Sequence, residues 1–553
     1  MKRIITSCLC LILLSCSMNQ PAETPTPAPD LFETPWEDRS LFKSGLIASQ
    51  QTVLEELEGA SVYHIELNIA DNLHTITGRE DVQYTNTETA ALNEVQFRLF
   101  PNILGGNMDV SNLVVDGQRV TPDLQLNGSL LVVRLASPLE PGQSVVIGMD
   151  FTVDVPQDVE TNYGMFSFFE DVLALAHAYP MIAVYDEEGW NAEIPVQQGD
   201  ITYVDMSFYL LKISAPGDVI VVPSGRVIDR AEVGDRQSLN VANGPARDFQ
   251  LTASPNYVEV SEAFGEVTIR SYAFEEMERG SQAALDIAVD SLELFNSKYP
   301  PYPYTELDLV ATPTLAGGIE YPGLIVVNSQ LYEASDPGTR QALEGVVAHE
   351  VAHQWFYNLV GDDQLDDPWL DEALAQYLTY EYFTDQYGPG GEAGFRSSLE
   401  ARWERVEFAD IPIGLPVAEY DDTEYGAIVY GRGPLFFIAL RDEIGQETFD
   451  GFLRDYTEQL SWGIATPDFL QSLAEQHCSC ELDALFDEWV YPKGKSSARQ
   501  MQPEEKQTVY AGRARLISLY RLFPPYRTAL SIRCGSTHTA PVPFGGMTCN
   551  RMV

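Results

Sequence analysis

The segment His349-Glu350-Val351-Ala352-His353 holds two imidazoles and a carboxylate at a spacing that can do chemistry. On a helix, His349 and His353 lie one turn apart on one face. Two imidazoles so placed can hold one metal ion at about 2.0–2.1 Å from each nitrogen. Glu350, beside that face, can take a proton from a water polarised there. A catalytic zinc site needs a third protein ligand and an open position. Glu372 stands eighteen residues beyond His353, in Pro368-Trp369-Leu370-Asp371-Glu372-Ala373. The set predicts one Zn2+ per chain, held by His349, His353 and Glu372, with Glu350 as general base of a hydrolase.

Two helices must position these groups. Asp336-Pro337 offers an N-cap and a first-turn proline for the first, and Gly361 a stop. Asp367 before Pro368 offers the cap of the second, which returns antiparallel and carries Glu372 back to the histidines. Upstream the hydrophobic period is two. Tyr63, Ile65, Leu67 and Ile69 alternate with polar residues, and Val145, Ile147, Met149, Phe151 and Val153 repeat the device. This predicts an antiparallel β domain over residues 46–262. Near residue 275 the period changes, and Leu285, Ala288, Val289, Leu292 and Phe295 share a helical face. Apolar runs at 307–311 and 324–327 read as strands. Helices follow to about residue 490, one of them opening at Thr466-Pro467 as N-cap and first-turn proline.

The H-E-x-x-H motif with Glu372 after eighteen residues, in a W-L-x-E setting, resembles the zinc metallopeptidases related to aminopeptidase N and leukotriene hydrolase, the gluzincins. Gly317-Gly318-Ile319-Glu320-Tyr321 is similar to that family's G-x-M-E-N exopeptidase motif. The resemblance implies that Glu320 binds the free α-amine of a peptide and that the strand at Gly317 and Gly318 lies along it. Val429-Tyr430-Gly431-Arg432-Gly433 is similar to the V-Y-x-K-G segment, which implies that Tyr430 hydrogen-bonds the oxyanion. Phe486 and Trp489 match the F-x-x-W ending. The chain departs at Ile319 for Met, Tyr321 for Asn, Asp371 for Asn, Ala373 for Gly and Arg432 for Lys, which bears on specificity and not on the ligands. Relatives supply a second amine-binding group from the β domain. Glu170 and Asp171 are weak candidates for it, and His177 reads as a structural histidine. The fold expected is multidomain α+β: the β domain, then a thermolysin-like α/β zinc peptidase domain over 263–494, without the full C-terminal helical domain of many relatives. The function expected is an aminopeptidase acting on peptides with a free N-terminus. The alternatives are an oligo- or endopeptidase with an open cleft, or a surface peptide-binding protein with impaired catalysis.

The ends and the composition bear on location. Lys2 and Arg3 precede a short apolar run over 4–14, and Leu13-Leu14-Ser15-Cys16 resembles a bacterial lipobox. Residues 1–15 are expected as a lipoprotein signal, Cys16 as the lipidated residue, and 16–45 as a Pro/Thr-rich tether holding the protein to the bacterial cell envelope, facing outside the cytoplasm. With 33 Lys+Arg against 82 Asp+Glu, the net charge of −49 excludes a nucleic-acid binder. Residues 495–553 reverse the sign, with nine Lys/Arg against two Asp/Glu. They read as a basic appendage or as non-native coding. Seven cysteines, two of them in the signal, are too few for a disulfide framework. Cys478 and Cys480 read as free or locally paired thiols.

Overall fold

The computed structural model describes residues 31–333 and 337–492. The signal, Cys16, the Asp336 cap and the basic tail lie outside the described residues.

The alternating runs become strands of an eight-stranded sheet. Ser61–Ile69 sits at its centre, antiparallel to Thr75–Thr85 and parallel to Ser207–Pro216. Val145, Ile147, Met149, Phe151 and Val153 all point into one buried face, as period two requires. Two four-stranded sheets and one two-stranded sheet complete this β region.

Two expected boundaries move. The tether is expected to reach residue 45, yet Leu31–Glu33 and Ser40–Gly45 are 3-10 turns packed on the large sheet. Their apolar side chains explain this. Phe42 is buried against Phe208 with Val62 and Leu210, and Trp36 stacks on His64 at 4.0 Å. His64, on the face of its strand that alternation makes polar, is thereby buried. The β domain was drawn to residue 262. Tyr257–Phe264 instead pairs with Val267–Phe274, which runs parallel to Glu306–Thr312. It therefore belongs to the next sheet.

That second sheet has five strands and ends at the short edge strand Gly318–Ile319, antiparallel to Leu324–Asn328. It is covered on both faces. Leu309, Ala311, Ile325 and Val327 enter the core of the helical part, which includes Leu285, Ala288, Leu292 and Phe295 of the helix Glu278–Lys298. Val310, Leu324 and Val326, pointing the other way, enter the core of the β region together with Ile319 and Tyr321. Thr466 caps the helix Pro467–Cys478 by accepting from the Phe469 N–H at 3.3 Å. Cys478 and Cys480 form a disulfide. No described helix is long and apolar enough to cross a membrane.

Arg247 ties the layers together. Fully buried, it donates to the carbonyls of Tyr357, Asn358 (3.1 Å), Val204 (3.1 Å) and Gly463 (2.6 Å).

Candidate active site

The helix Pro337–Ala352 buries Leu343, Val347, Ala348 and Val351 and so turns His349 and Glu350 toward the interior cleft. It ends at Ala352, not near Gly361. His353 occupies the following turn, its N–H still bonded to the His349 carbonyl at 3.2 Å. The second helix, Glu372–Tyr387, starts later than Asp367-Pro368 suggested. Its cap is Asp371, whose carboxylate accepts from the Glu372 N–H at 2.6 Å. Residues 361–370 cannot be its first turn because they form a loop that buries Trp369 and Gln364 beneath the site.

The three expected ligands converge. His349 Nε2 lies 3.2 Å from His353 Nε2 and 3.1 Å from Glu372 Oε2, and His353 Nε2 lies 3.4 Å from the same oxygen. His353 Nδ1 meets the Phe356 carbonyl at 2.8 Å. A carbonyl only accepts, so Nδ1 carries the proton and Nε2 presents its lone pair to the cluster. Two imidazole nitrogens and a carboxylate facing one point, all buried, match the donor set of zinc. Glu320, His353 and Asp371 also approach one another. That set shares the single free nitrogen of His353, so the two alternatives cannot both be filled.

The other expected residues gather around this point. Gly318 lies against the base: a Cβ there would stand 2.5 Å from Glu350 Oε1, which only glycine avoids. Gly317 accepts from the Asn328 N–H at 2.9 Å, holding the edge strand to its neighbour. Glu320 is buried and accepts from Gln364 Nε2 at 3.3 Å, while the same amide reaches Asp371 at 2.9 Å. Tyr430 sits in a π-turn, Ile428–Arg432, and its hydroxyl donates to Glu372 Oε1. Arg432 turns away, half-sandwiched by Trp403 and Trp489 and donating to Asp410 at 2.9 Å and the Glu488 carbonyl at 2.8 Å. It anchors the last described helix, Asp483–Trp489.

Residues 283–489 match the model of the Peptidase family M1 domain. Over these residues the chain is similar to family M1 peptidases. The resemblance to the aminopeptidase N-like gluzincins is thus borne out. Among curated M1 relatives, Aminopeptidase M1-B of Oryza sativa subsp. japonica is 26% identical over 300 residues, covering 52% of this chain and 34% of that protein. Aminopeptidase 2 of Candida albicans is 30% identical over 240 residues, covering 41% and 25%. The chain thus spans about a third or less of these proteins. The M1 zinc metallopeptidase of Deinococcus radiodurans has the same fold, with a TM-score of 0.61 at 17% identity, over 79% of this chain and 94% of that one. A mutant of that enzyme bound to a Tyr-Ser-Ala substrate aligns equally well, at 0.61 and 18%, over 78% and 94%.

Electrostatics in this M1 site follow from burial and crowding. Burial and the charge of Glu320 hold the Glu350 carboxyl well above the usual range. Burial would raise Glu372 too, but His353 and His349 outweigh it and hold the carboxyl well below. Burial and the Glu372 charge push the Tyr430 phenol up, so it remains a donor.

Glu170 and Asp171 are exposed at the tip of the hairpin Phe166–Phe169 and Val172–Leu175, away from these groups. His177 is structural, bonded to Asp248 at 3.1 Å. The acid that the β region contributes is Asp200, on an irregular loop, beside Glu320 and Glu372. Thr202, two residues on, fixes that loop by donating to Gln364 at 2.8 Å. No motif marks Asp200, Gln364 or Thr202 in the sequence.

Tyr430→Phe removes one donor and leaves the ring. Turnover is expected to fall about 10²-fold with KM within a few-fold of wild type, as for an interaction made in the transition state. Steady-state kinetics on a dipeptide read both terms, and an unchanged kcat would reject the role.

Proposed function

We propose that this protein is a zinc aminopeptidase that removes residues from the free N-termini of peptides. The observation that carries the reading is that Glu320, immediately after the edge strand Gly318–Ile319, shares one buried cluster with the His349, His353 and Glu372 triad through Gln364 and Asp371. An anchor for an ammonium and a centre for hydrolysis thus lie about one residue apart along an extended peptide.

Bound zinc supplies a Lewis acid that polarises a carbonyl and acidifies water. The chain supplies the rest. The edge at residues 317–319 pairs with the peptide backbone, and Glu320 holds its ammonium by a charge-assisted hydrogen bond. Glu350 takes a proton from the attacking water and returns it to the leaving amine. The Tyr430 hydroxyl offers a hydrogen bond to the oxyanion as charge develops.

The test compares peptides with free and acetylated N-termini, with and without chelator. Cleavage of free peptides only, lost on chelation and restored by zinc, supports the reading. Equal cleavage of both forms rejects the amine anchor and favours an endopeptidase. Glu320→Ala is expected to lower kcat/KM on free peptides about 10²-fold, leaving acetylated ones as poor as before.

A further inference from the structure

The Tyr430 ring is held by three side chains, and one of them is a cation. The ring lies 5.9 Å from the His349 ring and 5.7 Å, edge-on, from the Tyr425 ring. The Arg402 Cζ stands over the same ring, 6.0 Å from its centroid. Arg402 lies in the last turn of the helix Pro389–Glu404, which packs directly on the turn Ile428–Arg432. A Cβ at Gly431 would stand 2.9 Å from the Arg402 Cβ and 3.1 Å from the Leu399 carbonyl oxygen, so glycine permits this close approach. The Arg402 side chain is half-buried, and among the described residues no acceptor or carboxylate pairs with its guanidinium. Arg432, on the turn itself, differs, because Asp410 and the Glu488 carbonyl take its donors. Burial and Arg405 oppose the charge on Arg402, while Tyr430 and Glu372 favour it.

We propose that Arg402 is a positioning residue for the oxyanion donor, holding the Tyr430 ring by a cation–π contact and strengthening its hydroxyl as a hydrogen-bond donor. The inference rests on the oxyanion role given to Tyr430 above. A guanidinium over an aromatic ring is attracted by the negative face of the π system, which fixes the ring in place. The same charge draws electron density from the ring and so from the O–H bond. The phenol then donates more strongly to an acceptor that gains charge. The oxyanion gains its charge only as the transition state forms, so the benefit falls on kcat and not on substrate binding. The cation is fixed by its helix before the reaction begins, so no reorganisation is needed when the charge appears.

The test is a double-mutant cycle combining Arg402→Met with Tyr430→Phe, each variant brought to one zinc per chain. Arg402→Met keeps the reach of the side chain and removes the charge. It is expected to lower kcat about tenfold, with KM on a dipeptide amide within about twofold of wild type. Arg402→Lys keeps a cation and is expected to hold turnover within about threefold of wild type. In the Tyr430→Phe background the ring remains and the hydroxyl is gone, so Arg402→Met should there change kcat less than about twofold. Calorimetric binding of a phosphinic pseudodipeptide, a tetrahedral mimic of the transition state, should weaken about tenfold in Arg402→Met. An equal loss of kcat in both backgrounds, or a lysine variant as slow as the methionine variant, shows a structural role only and overturns the proposal. Unchanged kcat with KM raised on a free dipeptide but not on its amide makes Arg402 an anchor for the substrate carboxylate, and also overturns it. If Tyr430→Phe leaves kcat unchanged, the oxyanion role falls and this inference falls with it. If Tyr430→Phe slows turnover and Arg402→Met does not, the oxyanion role stands and the inference alone falls.

Discussion

Glu350→Gln is expected to cut peptide turnover by about 10²–10⁴-fold while the protein still binds one zinc per chain. The change removes a proton acceptor and no ligand. Glu350 lies outside the converging set of His349, His353 and Glu372, and its neighbour is the Gly318 backbone, which the isosteric amide accommodates. His353→Ala is the counterpart. It deletes the imidazole whose Nε2 stands 3.2 Å from His349 and 3.4 Å from Glu372, so metal and turnover should go together. Elemental analysis after dialysis, paired with kinetics, reads both. Zinc lost from the glutamine variant, or retained at full stoichiometry by the alanine variant, would undo the assignment.

The second large effect concerns stability. Arg247→Met keeps much of the buried volume and removes the guanidinium. The buried carbonyls of Val204, Tyr357 and Asn358 then lose that donor, while Gly463 keeps the Gly361 N–H at 3.0 Å. Each buried acceptor left bare costs about 1–3 kcal/mol, so a loss of about 3–5 kcal/mol is expected after partial relaxation. Tyr357 and Asn358 follow directly on Phe356, whose carbonyl accepts from His353 Nδ1 at 2.8 Å. Zinc affinity is therefore expected to weaken by about 10–100-fold, the range seen when a group orienting a ligand is lost. The urea midpoint and a competitive zinc titration measure the two effects. A midpoint within experimental error of wild type would show that the carbonyls find other donors.

The convergence of His349, Glu350, His353 and Glu372 was legible because metal and acid–base chemistry fixes both residue type and spacing, and a helix turns spacing into geometry. Alternation along residues 145–153 was legible for the same reason. What escaped was set by tertiary contact. Asp371 caps the second helix only because Gln364 and Trp369 are drawn under the site, and Asp367-Pro368 looked the better local start. Residues 31–45 resembled their proline-rich neighbours until Trp36 and Phe42 met His64 and Phe208. Asp200 carries no pattern at all. It matters through a loop conformation that brings a β-region carboxylate beside Glu320, and nothing local encodes that meeting.

The sheet that ends in Gly318–Ile319 is clasped on both faces, with Val310, Leu324 and Val326 in one core and Leu309, Ile325 and Val327 in the other. This limits how the protein can be recombined. The β region and the helical part are not interchangeable cassettes, because the sheet whose edge strand leads into Glu320 is seated by side chains from both. A chimera that takes one part from a relative inherits a mismatched seat for Glu320. A substitution on one face of that sheet therefore calls for a matching one in the core it enters.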